Sequence, residues 1–164
     1  MRFLDITLHT AHTLYSSPAQ LLEQLPRVDL LIGAVLVPGA KAPKLITREM
    51  LRCMRPGSVL VDIAIDQGGC AETSRPTTHN DPVYVEEGIT HYCVANMPGA
   101  YARTATQALN NVTFPYVEQI AERGLPGACE ARPELRGGIN VMDGQVTCAA
   151  VADAHGMNCV EPSL

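Results

Sequence analysis

The stretch that most constrains this chain is Val59-Leu60-Val61-Asp62-Ile63-Ala64-Ile65, entered through Pro56-Gly57-Ser58 and left through Asp66-Gln67-Gly68-Gly69. It is apolar except for Asp62. A β-branched run of that length, without alternation, suits a central parallel strand covered on both faces. Asp66 falls where such a strand should end. In open α/β sheets the ligand crevice lies outside the carboxyl ends of the strands. A carboxylate followed by Gly-Gly at that point is therefore a site candidate, set against the plainer reading of a turn residue.

With 164 residues the chain is long enough for one domain with a sizeable core. A net charge of −5 offers no basic surface for nucleic acid, and the absence of Trp argues against base-stacking platforms. No apolar stretch is long enough to span a membrane. Asp5 interrupts the N-terminal apolar residues, so no signal-peptide layout is expected and the cytoplasm is the expected compartment. The six cysteines form no C-x-x-C and stand at no zinc spacing with His, so free thiols are expected and no metal site is indicated.

Phe3, Leu4 and Leu8 stand at near-helical spacing, as in the back half of a helix over 2–12, and Thr13-Leu14-Tyr15 reads as a short strand. Ser16 or Ser17 then caps a helix with Pro18 in its first turn and Leu21, Leu22 and Leu25 on its apolar face. Val28 to Val37 is a second buried-strand candidate, followed by the Pro- and Gly-rich loop 38–44. Thr47 is the N-cap of a further helix, and Arg55-Pro56-Gly57 turns into the strand already described. Residues 28–65 thus read as a βαβ unit with a parallel sheet.

The polar segment from Asp66 to about Gly88 is expected to be a functional loop. His91 to Met97 is a third strand candidate. Thr104 to Arg123 is the strongest helix, with Leu109, Val112, Tyr116, Val117 and Ile120 inward and a kink or reset at Pro115. The chain changes character at Gly124 and closes with a short helix over 151–156, Gly-capped, and a frayed tail over 159–164. There is no G-x-G-x-x-G and no acidic residue closing a first βαβ unit. On motifs alone this is the half of a dinucleotide-binding domain that does not hold the pyrophosphate.

Three long blocks carry a resemblance. They are Ile32-Gly33-Ala34-Val35-Leu36-Val37-Pro38-Gly39-Ala40-Lys41-Ala42-Pro43-Lys44-Leu45; Pro56 through Cys70 with Glu72-Thr73-Ser74-Arg75-Pro76-Thr77-Thr78; and His91-Tyr92-Cys93-Val94-Ala95-Asn96-Met97-Pro98-Gly99-Ala100. In this order and spacing they resemble the alanine dehydrogenase family, C-terminal part only. The nucleotide-binding component of proton-translocating transhydrogenases is similar in its P-G-x-x-A-P-K-L loop. It lacks the acid that stands here as Asp66.

The resemblance implies the second half of a doubly wound, Rossmann-type parallel sheet. It implies a partial dinucleotide-binding domain over 1–123 and a segment of the substrate domain over 124–164. It implies NAD as cofactor and the oxidative deamination of L-alanine to pyruvate and ammonia. Asp66 resembles the family's catalytic carboxylate at the nicotinamide end. Ser16 resembles the residue at the adenosine end, Val35 and Leu36 the walls of the cofactor crevice, and Ile63, Asn96 and Met97 the surroundings of the nicotinamide. The family's catalytic His, substrate-binding Arg and Lys, Gly-rich loop and ribose-binding acid all correspond to positions upstream of Met1.

Two expectations follow. The first is a fragment of a dehydrogenase, inactive by itself, its function belonging to the intact enzyme. The second is a non-catalytic interaction module, pairing through an exposed sheet edge with itself, with a homologue or with a chain supplying the missing half; a transhydrogenase-type NAD-binding domain fragment is the further alternative. Cys70 and Cys93 read as packed thiols, His79 and His91 as surface or core histidines, and Lys41 and Lys44 as solvated loop lysines.

Overall fold

The computed structural model describes residues 11–164. The expected helix over 2–12 lies almost wholly outside them. The chain forms two compact units: one comprises the residues up to Val35 together with Pro43–Ala95, the other Leu36–Ala42 together with Asn96–Leu164.

In the first unit, Ser17 caps helix α1 (Pro18–Gln24), its side chain accepting the N–H of Gln20. A 3-10 turn, Leu25–Arg27, leads to strand β1 (Leu30–Gly33). Thr47 caps the short helix α2 (Arg48–Leu51), accepting the N–H of Met50. Strand β2 (Val59–Asp62) follows, then a 3-10 turn over Ile63–Gln67 closed by Gly68 in the left-handed region. Strands β3 (Val83–Glu86) and β4 (Ile89–Tyr92) complete a sheet of order β1-β2-β4-β3.

β1, β2 and β4 are parallel, with Leu60 beside Leu31 and His91, and Gly33 beside Asp62. β3 runs antiparallel to β4 at the edge. The core gathers Leu25, Ile46, Met50, Leu51, Met54, Leu60, Ala71 and Ile89, with Leu21, Val28 and Leu31 against it. Leu60 is fully buried at its centre, and truncation there to Ala costs about 2–5 kcal/mol.

Several strand boundaries differ from the sequence reading. Thr13-Leu14-Tyr15 is not a strand, and Leu14 and Tyr15 are exposed. The run 59–65 is a strand only to Asp62; beyond it the chain coils so that Ala64 and Ile65 are buried while Ile63 is exposed. The last part of the long polar segment holds β3, joined to β4 by a two-residue loop. Glu87 and Gly88 both have positive φ, 53° and 76°, as a type I′ hairpin turn needs.

In the second unit, a 3-10 turn (Met97–Tyr101) runs into helix α3 (Ala102–Ala131). Backbone angles stay helical through Pro115, where a kink or reset was expected, and depart from helical at Gly124 (φ 67°, ψ 169°). Of the residues expected to face inward, Leu109, Val112, Val117 and Ile120 do not, being 38–63% exposed, while Tyr116 is half-buried. Amphipathic spacing fixes which residues share a face; among the described residues the Arg132 guanidinium lies 4.8 Å over the Tyr116 ring, and the four aliphatic residues stay exposed. Beyond it lie a 3-10 turn (Pro133–Gly138), a small hairpin of β5 (Val141–Met142) and β6 (Gln145–Val146), and helix α4 (Ala149–His155) capped by Gly156. The tail expected to fray is tied in part: Cys159 bridges Val146, and the Val160 N–H donates to the Val146 carbonyl at 2.9 Å.

Candidate functional site

The carboxyl ends of β1 and β2 carry a buried polar knot. Asp62, the last residue of β2, is fully buried. Its Oδ2 accepts the N–H of Cys70 at 2.8 Å and the hydroxyl of Ser74 at 2.5 Å. Between them the chain folds back on itself: Gly68 N–H donates to the Ile65 carbonyl and Gly69 N–H to the Ala64 carbonyl, each at 2.9 Å. Gly69 must be glycine. Its φ is +79°, and a Cβ there would lie 2.6 Å from Ser74 Cβ and 2.8 Å from Asp62 Oδ2. Lys44 reaches the same turn from the other side, its Nζ donating to the carbonyls of Gly68 at 2.6 Å and Ala71 at 3.0 Å. The backbone N–H groups of Leu45 and Ile46 both donate to the Cys70 carbonyl.

The next residues are clamped by the other strands. Thr73 is held by His91 of β4 and Tyr84 of β3. Nδ1 of His91 faces the Ile89 carbonyl at 2.9 Å, which only accepts, so Nδ1 carries the proton. In the neutral ring Nε2 then accepts the Thr73 hydroxyl at 2.8 Å. The Tyr84 hydroxyl donates to the Thr73 carbonyl at 2.8 Å and accepts the N–H of Arg75 at 3.0 Å. Tyr84 also stacks on His91, centroids 4.8 Å apart, while the Arg75 guanidinium lies 3.9 Å over its ring. Burial pushes the Tyr84 phenol up. Burial, reinforced by the Asp62 carboxylate, pushes the Cys70 thiol up to about 12, and burial raises Cys93 as well. Neither thiol is an activated nucleophile.

Asp66 is exposed on the 3-10 turn at the carboxyl end of β2, one turn beyond the strand end where it was expected. Ile63 is on the same turn. Ser16 and Val35 line a largely apolar cavity of about 120 Å³ in the first unit, shared with Leu21, Leu31, Gly33 and Cys70. Leu36, Asn96 and Met97 belong to the second unit. Asn96 there adopts a left-handed conformation (φ 54°) ahead of the 3-10 turn. It lines a cavity of about 650 Å³ along the start of α3, with Pro98, Ala105, Leu109 and Val112.

The structure therefore groups Ser16 with Val35 and Ile63 with Asp66. The residues that build the turn, Asp62, Ser74 and Lys44, are ones the sequence reading did not select. Asp62 carried a legible signal as the lone charge inside an apolar run. Among the described residues no group of three His, Cys, Asp or Glu is placed to hold a metal ion, and all six cysteines are free thiols. No helix among them is long and apolar enough to cross a membrane.

Comparison with known proteins bears on the family and the fold. The family profile described as "Alanine dehydrogenase/PNT, C-terminal domain" matches residues 2–149. Alanine dehydrogenase of Halomonas elongata is 58% identical over 149 residues, covering 91% of this chain and 40% of that protein. The Bacillus subtilis alanine dehydrogenase is 53% identical over 149 residues, covering 90% and 39%. Among solved structures, an L-alanine dehydrogenase superposes with a TM-score of 0.77 at 45% identity, over 94% of this chain and 43% of its own. A transhydrogenase from Sinorhizobium meliloti gives 0.52 at 37% identity, over 59% and 28%. The chain thus spans about two fifths of the length of the curated relatives it matches. Its parallel sheet is of the Rossmann type those structures share, and the chain belongs to the alanine dehydrogenase/PNT family through that family's C-terminal domain.

Proposed function

We propose that this chain is the C-terminal, nucleotide-binding part of an NAD-dependent L-alanine dehydrogenase acting in the cytoplasm. The reaction takes L-alanine, NAD and water to pyruvate, ammonia and NADH. The observation that carries the reading is the identity of 58% to an alanine dehydrogenase across nine tenths of the chain. It is joined to an exposed carboxylate, Asp66, on a turn at the carboxyl end of a parallel strand, where this class of sheet receives its ligand.

The first unit's residues fit part of a dinucleotide. The cavity lined by Ser16, Gly33 and Val35 offers a hydroxyl, a backbone position without a side chain and apolar walls to a nucleoside. By resemblance Leu36 is assigned, with Val35, to the walls of the cofactor crevice. Ile63, Asn96 and Met97 are assigned to the nicotinamide end, with Asp66 as the carboxylate that orients the reacting end and handles its proton. NAD, when bound, supplies the hydride acceptor. The 164 residues contain no G-x-G-x-x-G to cradle a pyrophosphate. Residues 124–164 are assigned to the substrate domain. The complete reaction belongs to the intact enzyme, and these residues by themselves are expected not to turn over alanine.

A calorimetric or NMR titration of the purified chain with NAD, paired with an L-alanine assay, tests this. Measurable NAD binding without turnover is expected. Absence of binding counts against the cofactor crevice, and turnover at an ordinary enzymatic rate counts against an incomplete site.

A second reading rests on β1. It has a single neighbouring strand, β2, among the described residues, and Leu30 and Ile32 are each 54% exposed. An open parallel edge of this kind templates pairing with another strand. The partner is a chain supplying the first half of the sheet, or a second copy. Light scattering at high concentration separates these from a monomer.

A further inference from the structure

We infer that Asp62, acting with Ser74, is the positioning residue of the turn that presents Asp66. The inference rests on the reading of Asp66 as the site carboxylate and adds a residue that reading does not include. Asp62 ends β2 and also opens the 3-10 turn as its N-terminal flank. Its carboxylate accepts the N–H of Cys70, eight residues further on. One side chain thereby closes the segment 62–70 into a ring, with Asp66 at its midpoint.

Inside that ring the bonds from Gly68 and Gly69 to the Ile65 and Ala64 carbonyls set the turn's curvature. Ser74 donates to the same carboxylate oxygen and so fixes how far the ring's end stands from β2. Thr73 and Arg75 on either side are held by His91 and Tyr84, so Ser74 is itself a fixed point rather than a mobile donor.

The choice of a carboxylate here is informative. The neighbours that face Asp62 leave no room for a side chain at Gly33 or Gly69, and its Oδ1 is buried without a protein donor. An apolar residue would avoid the cost of an unmatched buried oxygen. It would also leave the Cys70 N–H and the Ser74 hydroxyl unmatched and the ring open. Local bonds of this kind hold a functional group in one geometry when the group itself is exposed on a turn.

The test is carbon-13 NMR of the 164-residue chain with labelled aspartate, comparing the parent, Ser74→Ala and Asp62→Asn. Ser74→Ala removes one of the two donors to the Asp62 carboxylate, at a partly buried position, and leaves the Cys70 bond that closes the ring. The expected result is a displaced Asp66 carboxyl-carbon resonance, with amide exchange at Gly69 and Cys70 quickened about tenfold or more. Asp62→Asn retains a side-chain carbonyl for the Cys70 N–H, so its Asp66 resonance should lie near the parent's. If Asp66 keeps the parent resonance in Ser74→Ala, whether or not exchange at Cys70 quickens, Asp62 and Ser74 only support the fold and the inference falls. Equal displacement in both variants also overturns it, because Asp62→Asn keeps an oxygen for the Ser74 hydroxyl that Ser74→Ala removes, so loss of that contact would then not be the cause. The NAD titration of the parent chain is scored separately. Its failure would remove the dehydrogenase reading and leave the spectroscopic result on the turn intact.

Discussion

Gly33 and Cys70 approach so closely that a Cβ placed on Gly33 would lie 2.2 Å from the Cys70 sulfur. The register explains it: Gly33 ends β1 directly beside Asp62, and Asp62 draws the Cys70 backbone in behind it. Gly33→Ala is expected to destabilise the first unit by about 2 kcal/mol or more, the size of a core overpacking defect. Removing the sulfur in Gly33→Ala/Cys70→Ala should restore at least half of the loss. A double-mutant cycle in urea, followed by circular dichroism, checks this. Additive losses would show that the clash is not with the sulfur.

Lys44 was expected to be a solvated loop lysine, and it is instead bonded to two carbonyls of the turn, those of Gly68 and Ala71. A charged donor on a carbonyl contributes about 1.5–3 kcal/mol when shielded and less when solvent reaches it. Lys44→Met keeps the apolar stem and loses both bonds. Destabilisation of about 1 kcal/mol is expected, concentrated in faster amide exchange over 68–72 and leaving the β1–β2 ladder protected. Uniform acceleration across the sheet would contradict a local role.

The contrast between Lys44 and the helix caps shows what a sequence discloses. Ser17, Thr47 and Gly156 were readable because capping is local: a side chain or a free φ serves backbone groups within a few residues. Lys44 acts on residues 24 and 27 positions away, and no spacing rule encodes such a partner. The strand run 59–65 misled for a related reason. Burial makes a residue apolar whether it lies in a strand or in the turn after it, so Ala64 and Ile65 extended the pattern past the true end at Asp62. β3 was missed because its outward residues Val83 and Val85 sit in a polar context, and its anchor is the non-local stack of Tyr84 on His91. The apolar residues of α3 were expected inward from their spacing, and four of the five are exposed. That those residues are exposed depends on what else is present to cover them, which periodicity does not report.

The thiols should separate by environment. Cys53 and Cys159 are exposed, whereas Cys70 and Cys93 are fully or almost fully buried. With its thiol pushed up to about 12 from 9.0, Cys70 holds about a thousandfold less thiolate at pH 8 than an ordinary thiol. Iodoacetamide under native conditions should therefore modify Cys53 and Cys159 and spare Cys70 and Cys93, all reacting once urea is added. Peptide mass spectrometry reads the order, and early modification of Cys70 would show that the Asp62 knot is not closed in solution.

Glu87 ties the β3–β4 turn to α2. Its carboxylate accepts from Arg52 Nε at 2.8 Å and from Arg48 Nη1 at 2.7 Å, while the other Arg48 nitrogen bonds Glu86. The hydrogen bond from Arg52, then that from Arg48, lowers the Glu87 carboxyl from 4.5 to about 2. A depressed folded-state value means that the folded protein holds the charged form more tightly than the unfolded chain does. The stabilisation is complete above about 4.5, fades as the pH falls, and is lost as the carboxyl protonates near 2. Glu87→Gln preserves the side-chain shape at this positive-φ position and removes the charge. Its urea midpoint should lie below the parent's at neutral pH, and the two should converge as pH falls from 4.5 to 2. Because Arg48 and Arg52 are 43% and 58% exposed at the side chain, salt at about 1 M should shrink the neutral-pH difference as well. A difference that persists unchanged at pH 2 would assign the effect to packing or to the turn rather than to the charge.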